Sequence, residues 1–191
     1  MTLLRSAVIA AAGMALSLQG AAHAGGGATI TNYGQRALLI QGGGQSVLLN
    51  PYQAVGCAAG LPEPRVNAGI ILASSQLADE GARDIAGGRY LVKPGAYRIG
   101  SLNLEGFGSP HDRMGGRRFG NATIWRWSQG GLNFAHLGAT AGPISGADQV
   151  LLGRPDVLIL GVGGAAKFLM EMKPQPSSTS SIPSASSPCN T

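Results

Sequence analysis

Aromatic residues make up only 5% of this 191-residue chain and charged residues only 12%. A nucleic-acid-binding surface needs a coherent basic face with aromatic platforms on it. Here the cations are dispersed, apart from Arg113, Arg117, Arg118 and Arg126, so nucleic acid is not an expected partner. Low charge together with 31 glycines suits a sheet-rich protein with tight turns better than a helical bundle. The net charge is +5, of which Arg5 contributes one unit. Histidine is scarce as well: the chain has three, and none follows His136. A G-x-S-x-G elbow is missing, which argues against a serine hydrolase. There are two cysteines, Cys57 and Cys189. An exported protein can keep a disulfide, but an unpaired Cys57 thiol is the plainer reading, and the sequence leaves the pairing open.

The first 24 residues read as a signal peptide. Arg5 gives a positive start, Ala7 to Leu18 is apolar, and Ala22-His23-Ala24 has the small-x-small cleavage pattern. That run is shorter than the roughly 20 residues a membrane span needs, and no transmembrane segment is expected after cleavage. The expectation is an exported protein, periplasmic or extracellular, with residues 25–173 as one domain. After Lys173 the chain turns to PQPSSTSSIPSASSPCNT, a Ser/Pro-rich composition with little to bury, so residues 174–191 are expected to be a disordered tail.

Within the domain, short β-like runs dominate. Ala28–Tyr33, Ala37–Gln41 and Ser46–Leu49 read as strands, with Gly42-Gly43-Gly44 as a hairpin turn. Gly69–Ser74 is a continuous apolar run of the kind buried on both faces. Further strands are expected at Leu91–Lys93, Tyr97–Ile99, Leu102–Phe107, Thr123–Trp127, Leu132–His136 and Val157–Leu160. Helices are expected at Asp79–Ile85, whose acidic start suits the macrodipole, at Asp148–Leu152 and over Lys167–Met172. Gly161-Val162-Gly163-Gly164-Ala165-Ala166 fits G-x-G-x-x-A. It lacks the acidic residue about 20 positions further on that a dinucleotide fold requires, so a tight turn explains it better.

Three blocks carry the chemistry. Ile71-Leu72-Ala73-Ser74-Ser75-Gln76-Leu77-Ala78-Asp79-Glu80-Gly81-Ala82 reads as a buried strand that leaves a sheet and turns. Ser109-Pro110-His111-Asp112 opens the second block, and Phe134-Ala135-His136-Leu137-Gly138-Ala139 closes the third. In order and spacing these blocks resemble the metallo-β-lactamase fold family, in its branch of zinc-dependent hydrolases. Members carry S-H-x-H-x-D-H at the first block, a histidine in H-D at the second and H-L-G-D at the third. The resemblance runs from about Ala28 to Lys167. It implies an α/β fold, an αββα sandwich, here expected to be incomplete at its C-terminal end.

Carried over residue by residue, the resemblance places Ser75 and Leu77 where the two histidines of H-x-H stand. Asp79 keeps the aspartate, Glu80 replaces the next histidine, His111 matches the histidine of the second block, and Ala139 replaces the last aspartate. Zinc asks for about four N, O or S ligands at roughly 2 Å, and a hydrolase keeps a place for an activated water. Asp79, Glu80 and His111 are therefore the candidate metal residues. They are too few for two zinc ions, and no cofactor is expected, although zinc could occupy a residual site. Three readings follow. One is a non-catalytic binding protein, with Arg113, Arg117 and Arg118 attracting a small anion or a protein partner. Another is a metal hydrolase with an altered, mononuclear site, and the third is a relic. Each residue also has a plainer role: His111 bonded to Asp112 or Arg113, His136 as a near-core histidine, Asp79 as a cap.

Overall fold

The computed structural model describes residues 26–85, 87–141, 143–161 and 180–183. Two mixed sheets lie face to face, as the fold class predicts. The first has the order β1 (Thr29–Asn32), β2 (Leu38–Gly42), β3 (Gln45–Leu49), β4 (Ile70–Leu72) and β5 (Arg89–Leu91). In the second, β6 (Gly95–Ile99), β7 (Leu102–Pro110), β8 (Asn121–Gln129), β9 (Leu132–His136), β10 (Val157–Leu160) and β11 (Ser180–Pro183) follow one another across the sheet.

Period-two patterning builds the second sheet. In β7, Leu102 and Leu104 point inward and are buried, while Asn103 points out. Trp125, Trp127 and Phe134 turn to the same interior and meet Leu38, Ile40, Val47, Leu49, Ile70 and Leu72 of the first sheet. Trp125 is fully buried, and a Cβ on Gly106 of the neighbouring strand would sit 2.8 Å from its ring. That glycine makes room for the indole, whose Nε1 donates to the Ala73 carbonyl at 2.9 Å and so ties the two sheets together.

Strand directions gather the loops. β3, β4 and β5 are parallel, so long connections must return the chain each time. β7 runs antiparallel to β8, and β8 to β9, while β9 and β10 are parallel. The C-terminal ends of β3, β4, β5, β7, β9 and β10 therefore share one end of the sandwich. Contacts across it confirm this: Thr123 N donates to Ser74 O at 2.7 Å, and Thr123 Oγ1 donates to Val92 O at 2.7 Å.

Two expectations need correction. The segment expected as a helix over Asp79–Ile85 is a turn followed by bends. Its backbone groups are drawn into tertiary bonds instead: Ala82 N donates to Pro51 O at 2.8 Å, and Tyr90 Oη donates to Gly81 O at 2.7 Å. Gly81 also packs so tightly that a Cβ would lie 1.9 Å from the Ser75 carbonyl oxygen. The strand expected at Leu91–Lys93 is Arg89–Leu91, its register set by pairing with Ile70–Leu72. Ser180–Pro183 pairs in parallel with β10 as the edge strand β11.

The helix α1 (Gly146–Leu152) matches its expected place and opens with a capping box between Ser145 and Asp148. Ile144 just before it and Leu152 at its last position join Ile124 and Leu137 on the outer face of the second sheet. Among the described residues no helix covers the outer face of the first sheet. Leu39, Leu48 and Ile71 there are buried beneath Tyr33, Val66 and Tyr90. No described helix is long and apolar enough to cross a membrane. The signal-peptide segment, the helix expected over Lys167–Met172 and Cys189 with its possible pairing lie outside the described residues.

Candidate functional site

Loops from both sheets meet at the shared end of the sandwich. Ser74, at the exit of β4, is the junction. Its N–H donates to Asn50 Oδ1 at 2.8 Å, while its Oγ accepts from Asn50 Nδ2 at 2.9 Å and from Ala139 N at 3.2 Å. Ends of β3, β4 and β9 are thus fixed around one buried serine. The next residue begins the cluster itself. Ser75 Oγ donates to Glu80 Oε1 at 2.8 Å and accepts from Leu77 N at 3.2 Å.

Glu80 is 5% exposed and bonded at both oxygens. His111 Nε2 lies 2.6 Å from Oε1, and the Arg36 guanidinium pairs with Oε2. Arg36 comes from the β1–β2 turn, Glu80 from the β4–β5 connection, and His111 from the β7–β8 connection. Three loops from two sheets therefore converge on one carboxylate. Burial opposes ionisation of Glu80. The His111 bond, the Arg36 charge and the Ser75 bond outweigh it, so its pKa falls below the usual carboxylate value. For His111, burial disfavours the cation, but the bond and charge of Glu80 prevail and the pKa rises. His111 Nδ1 faces the Phe119 backbone carbonyl without reaching hydrogen-bond geometry.

Beneath the cluster, His136 is 2% exposed, and neither ring nitrogen completes a hydrogen bond. Burial first, and then the nearby Arg36 charge, push its pKa down to about 3. It is a buried, neutral histidine near the core, but the hydrogen bonds expected to satisfy it there are not formed.

The remaining sequence candidates sit elsewhere. The Asp79 carboxylate accepts from Cys57 N at 3.0 Å, tying it to the short helical turn Gly56–Ala58 instead of a following helix. Asp112 serves its own loop. Its oxygens accept from the backbone N–H of Phe119 and Arg118 at 2.8 Å, and from Met114 and Gly116 at 2.8 and 3.0 Å. Those bonds, Phe119's foremost, hold its pKa down to about 2. Arg113, Arg117 and Arg118 are exposed on that loop, and Arg118 lies 4.8 Å over the ring of Phe119. Leu77 is 40% exposed. Sequence reasoning missed Arg36. A lone arginine in the turn Gly34-Gln35-Arg36 gives no local sign that it reaches a glutamate 44 residues away.

Two sheets, this loop end and the Ser74–Glu80 segment at its centre match a known pattern. The sequence profile of the β-lactamase superfamily domain matches residues 29–182. The chain belongs to the metallo-β-lactamase superfamily. Among solved structures, it resembles a Thermotoga maritima protein described as a zinc-dependent hydrolase candidate of that superfamily, with 23% identity and a TM-score of 0.56. The match covers 71% of this chain and 61% of the Thermotoga protein, so the chain spans less than two thirds of that relative's length. It also resembles isothiocyanate hydrolase from Delia radicum gut bacteria, at 12% identity and TM-score 0.51, covering 69% of this chain and 70% of that one. Both likenesses bear on the fold alone. A search of curated proteins returns no match.

The side chains present do not fit the two-metal centre that the family implies. Both oxygens of Glu80 are engaged by Arg36, Ser75 and His111. One oxygen of Asp79 accepts from Cys57 N, and Leu77 offers no ligating atom. A guanidinium, which stays protonated, supplies the positive charge beside Glu80. Among the described residues no three of His, Cys, Asp or Glu are grouped to hold a metal.

Proposed function

We propose that this metallo-β-lactamase-superfamily member is a non-catalytic binding protein, in which an arginine–glutamate–histidine cluster has taken over the charge balance of a metal centre. One observation carries the reading: the Arg36 guanidinium is paired with Glu80, opposite His111. A metal hydrolase needs open coordination positions and an activated water. Here both carboxylate oxygens are bonded to the protein's own donors. The binding role is exerted outside the cytoplasm, on the strength of the N-terminal pattern ending at Ala24. The partner is a small anionic ligand or a protein.

Elemental analysis of the purified full chain after mild zinc and iron supplementation tests this. The expected result is less than a tenth of a metal per chain and a melting temperature indifferent to chelator. About one metal per chain, lost in His111→Ala, would overturn the reading in favour of an altered mononuclear hydrolase. N-terminal sequencing of the secreted protein should begin at Gly25, and an intact Met1 on exported protein would refute cleavage.

A further inference from the structure

A cleft of about 640 Å³ opens beside the cluster, between the 76–84 segment and the β5–β6 turn. It exists because the chain after Glu80 does not coil into a helix. Gly81 tucks under the Ser75 carbonyl, Ala82 is tied to Pro51, and Arg83 and Asp84 are left exposed at the wall. Opposite them stand Tyr90 at the end of β5, Lys93 in the turn and Tyr97 in β6. The volume lies within the range of small-molecule sites, about 300–1,000 Å³.

The walls carry unspent polar groups of several kinds. Among the described residues, the side chains of Gln53, Gln76 and Lys93 make no hydrogen bond or ion pair, although all three line the cleft. Arg83 is held with its guanidinium 5.3 Å over the Tyr90 ring, which fixes one cation at the mouth. Both tyrosine hydroxyls are bound to backbone carbonyls, Tyr90 to Gly81 and Tyr97 to Lys93, so their rings are positioned as rigid walls. Asp84 adds one acceptor.

We propose that this cleft binds a hydroxylated carboxylate of the size of a sugar acid. The assignment rests on the non-catalytic reading above and names the ligand class for it. Two cations suit one carboxylate. Two amides and a carboxylate suit hydroxyl groups, which both donate and accept. Aromatic walls suit the apolar faces of a sugar ring. A doubly charged phosphate ester fits less well, because Asp84 repels two charges more strongly than one. The cations are Arg83 and Lys93, not the exposed Arg113, Arg117 and Arg118, none of which lines the cleft.

Calorimetric titration of the full chain with D-glucuronate tests the proposal, with glucose and glucose 6-phosphate as comparison ligands. Glucuronate should bind, and glucose should bind at least about tenfold more weakly, as expected when one charge-assisted contact is lost. Lys93→Gln and Arg83→Gln should each weaken glucuronate by a similar factor while their melting temperatures stay put, since both residues are exposed. Arg117→Gln should bind as the parent does. No heat with glucuronate, tighter binding of glucose 6-phosphate, or equal weakening by Arg117→Gln would each overturn the assignment. Metal analysis of the same sample separates the two proposals. Stoichiometric metal with Lys93-dependent glucuronate binding would sink the non-catalytic reading and leave the cleft standing.

Discussion

The two ends of the sandwich are fastened in opposite ways. At the hairpin end, Gln129 of β8 reaches across to the first sheet. Its Nε2 lies 3.2, 3.2 and 2.9 Å from the carbonyls of Ile40, Gly42 and Gln45, and its Oε1 accepts from Trp127 Nε1 at 3.1 Å. At the loop end, Glu80 joins Arg36 of its own sheet to His111 of the other. One clamp is a neutral amide, the other a buried set of charges. A neutral clamp risks only the desolvation of its partners. A charged one is weak evidence of stability as a whole, yet costly to break piecemeal, because a lone buried charge remains.

The comparison can be broken by mutation. Glu80→Ala leaves Arg36 and His111 facing each other without the carboxylate, and should cost about 3–5 kcal/mol in urea denaturation. Gln129→Ala leaves buried carbonyls and an indole N–H short of partners, and should cost about 1–3 kcal/mol. Equal costs would show that charge is not what distinguishes the two ends.

The pH response sharpens the same contrast. His136 has a folded pKa of about 3 against an ordinary 6.5, so the unfolded chain binds an extra proton between those values. Stability should therefore fall as pH drops through that window. Glu80 and Asp112, both lowered, add to the loss at still lower pH, Asp112 down to about 2. His111 works in the other direction. Its raised pKa contributes stability that is full below 6.5 and is lost as pH rises through the folded value. Thermal melts from pH 3 to 9 should show both limbs. His136→Phe should flatten the acid limb and His111→Gln the alkaline one, while Gln129→Ala lowers the whole curve without reshaping it.

The smallest effect belongs to Glu105 and Arg126, paired at 2.7 Å but exposed by 42% and 36%. Glu105→Gln should change stability by no more than about 1 kcal/mol and become neutral in high salt.

Much of the sheet framework was legible because alternation and glycine-rich turns are local. Leu102–Phe107, Thr123–Trp127, Leu132–His136 and Val157–Leu160 fall on strands, and Asp148–Leu152 on a helix that a capping box begins. The 79–85 segment was misread because its acidic start resembles a helix N-terminus, while the backbone bonds that defeat the helix come from Pro51 and Tyr90, remote in sequence. Of the candidate metal residues, Glu80 and His111 do meet, but Asp79 turns to Cys57. Side-chain direction at a loop depends on backbone torsions that motif spacing does not encode.

What the sequence determined by itself was the family and the residue types at 75, 77 and 139, since residue identity at a motif position needs no geometry. Tertiary structure alone decided how Asp79, Glu80 and His111 are engaged. Which donors reach Glu80, what Asp79 and Asp112 accept from, and that an unhelical segment borders a cleft beside Arg83 and Lys93 are all set by tertiary contacts. Such contacts follow from how two sheets stack, a global property of the packed core that no local pattern carries.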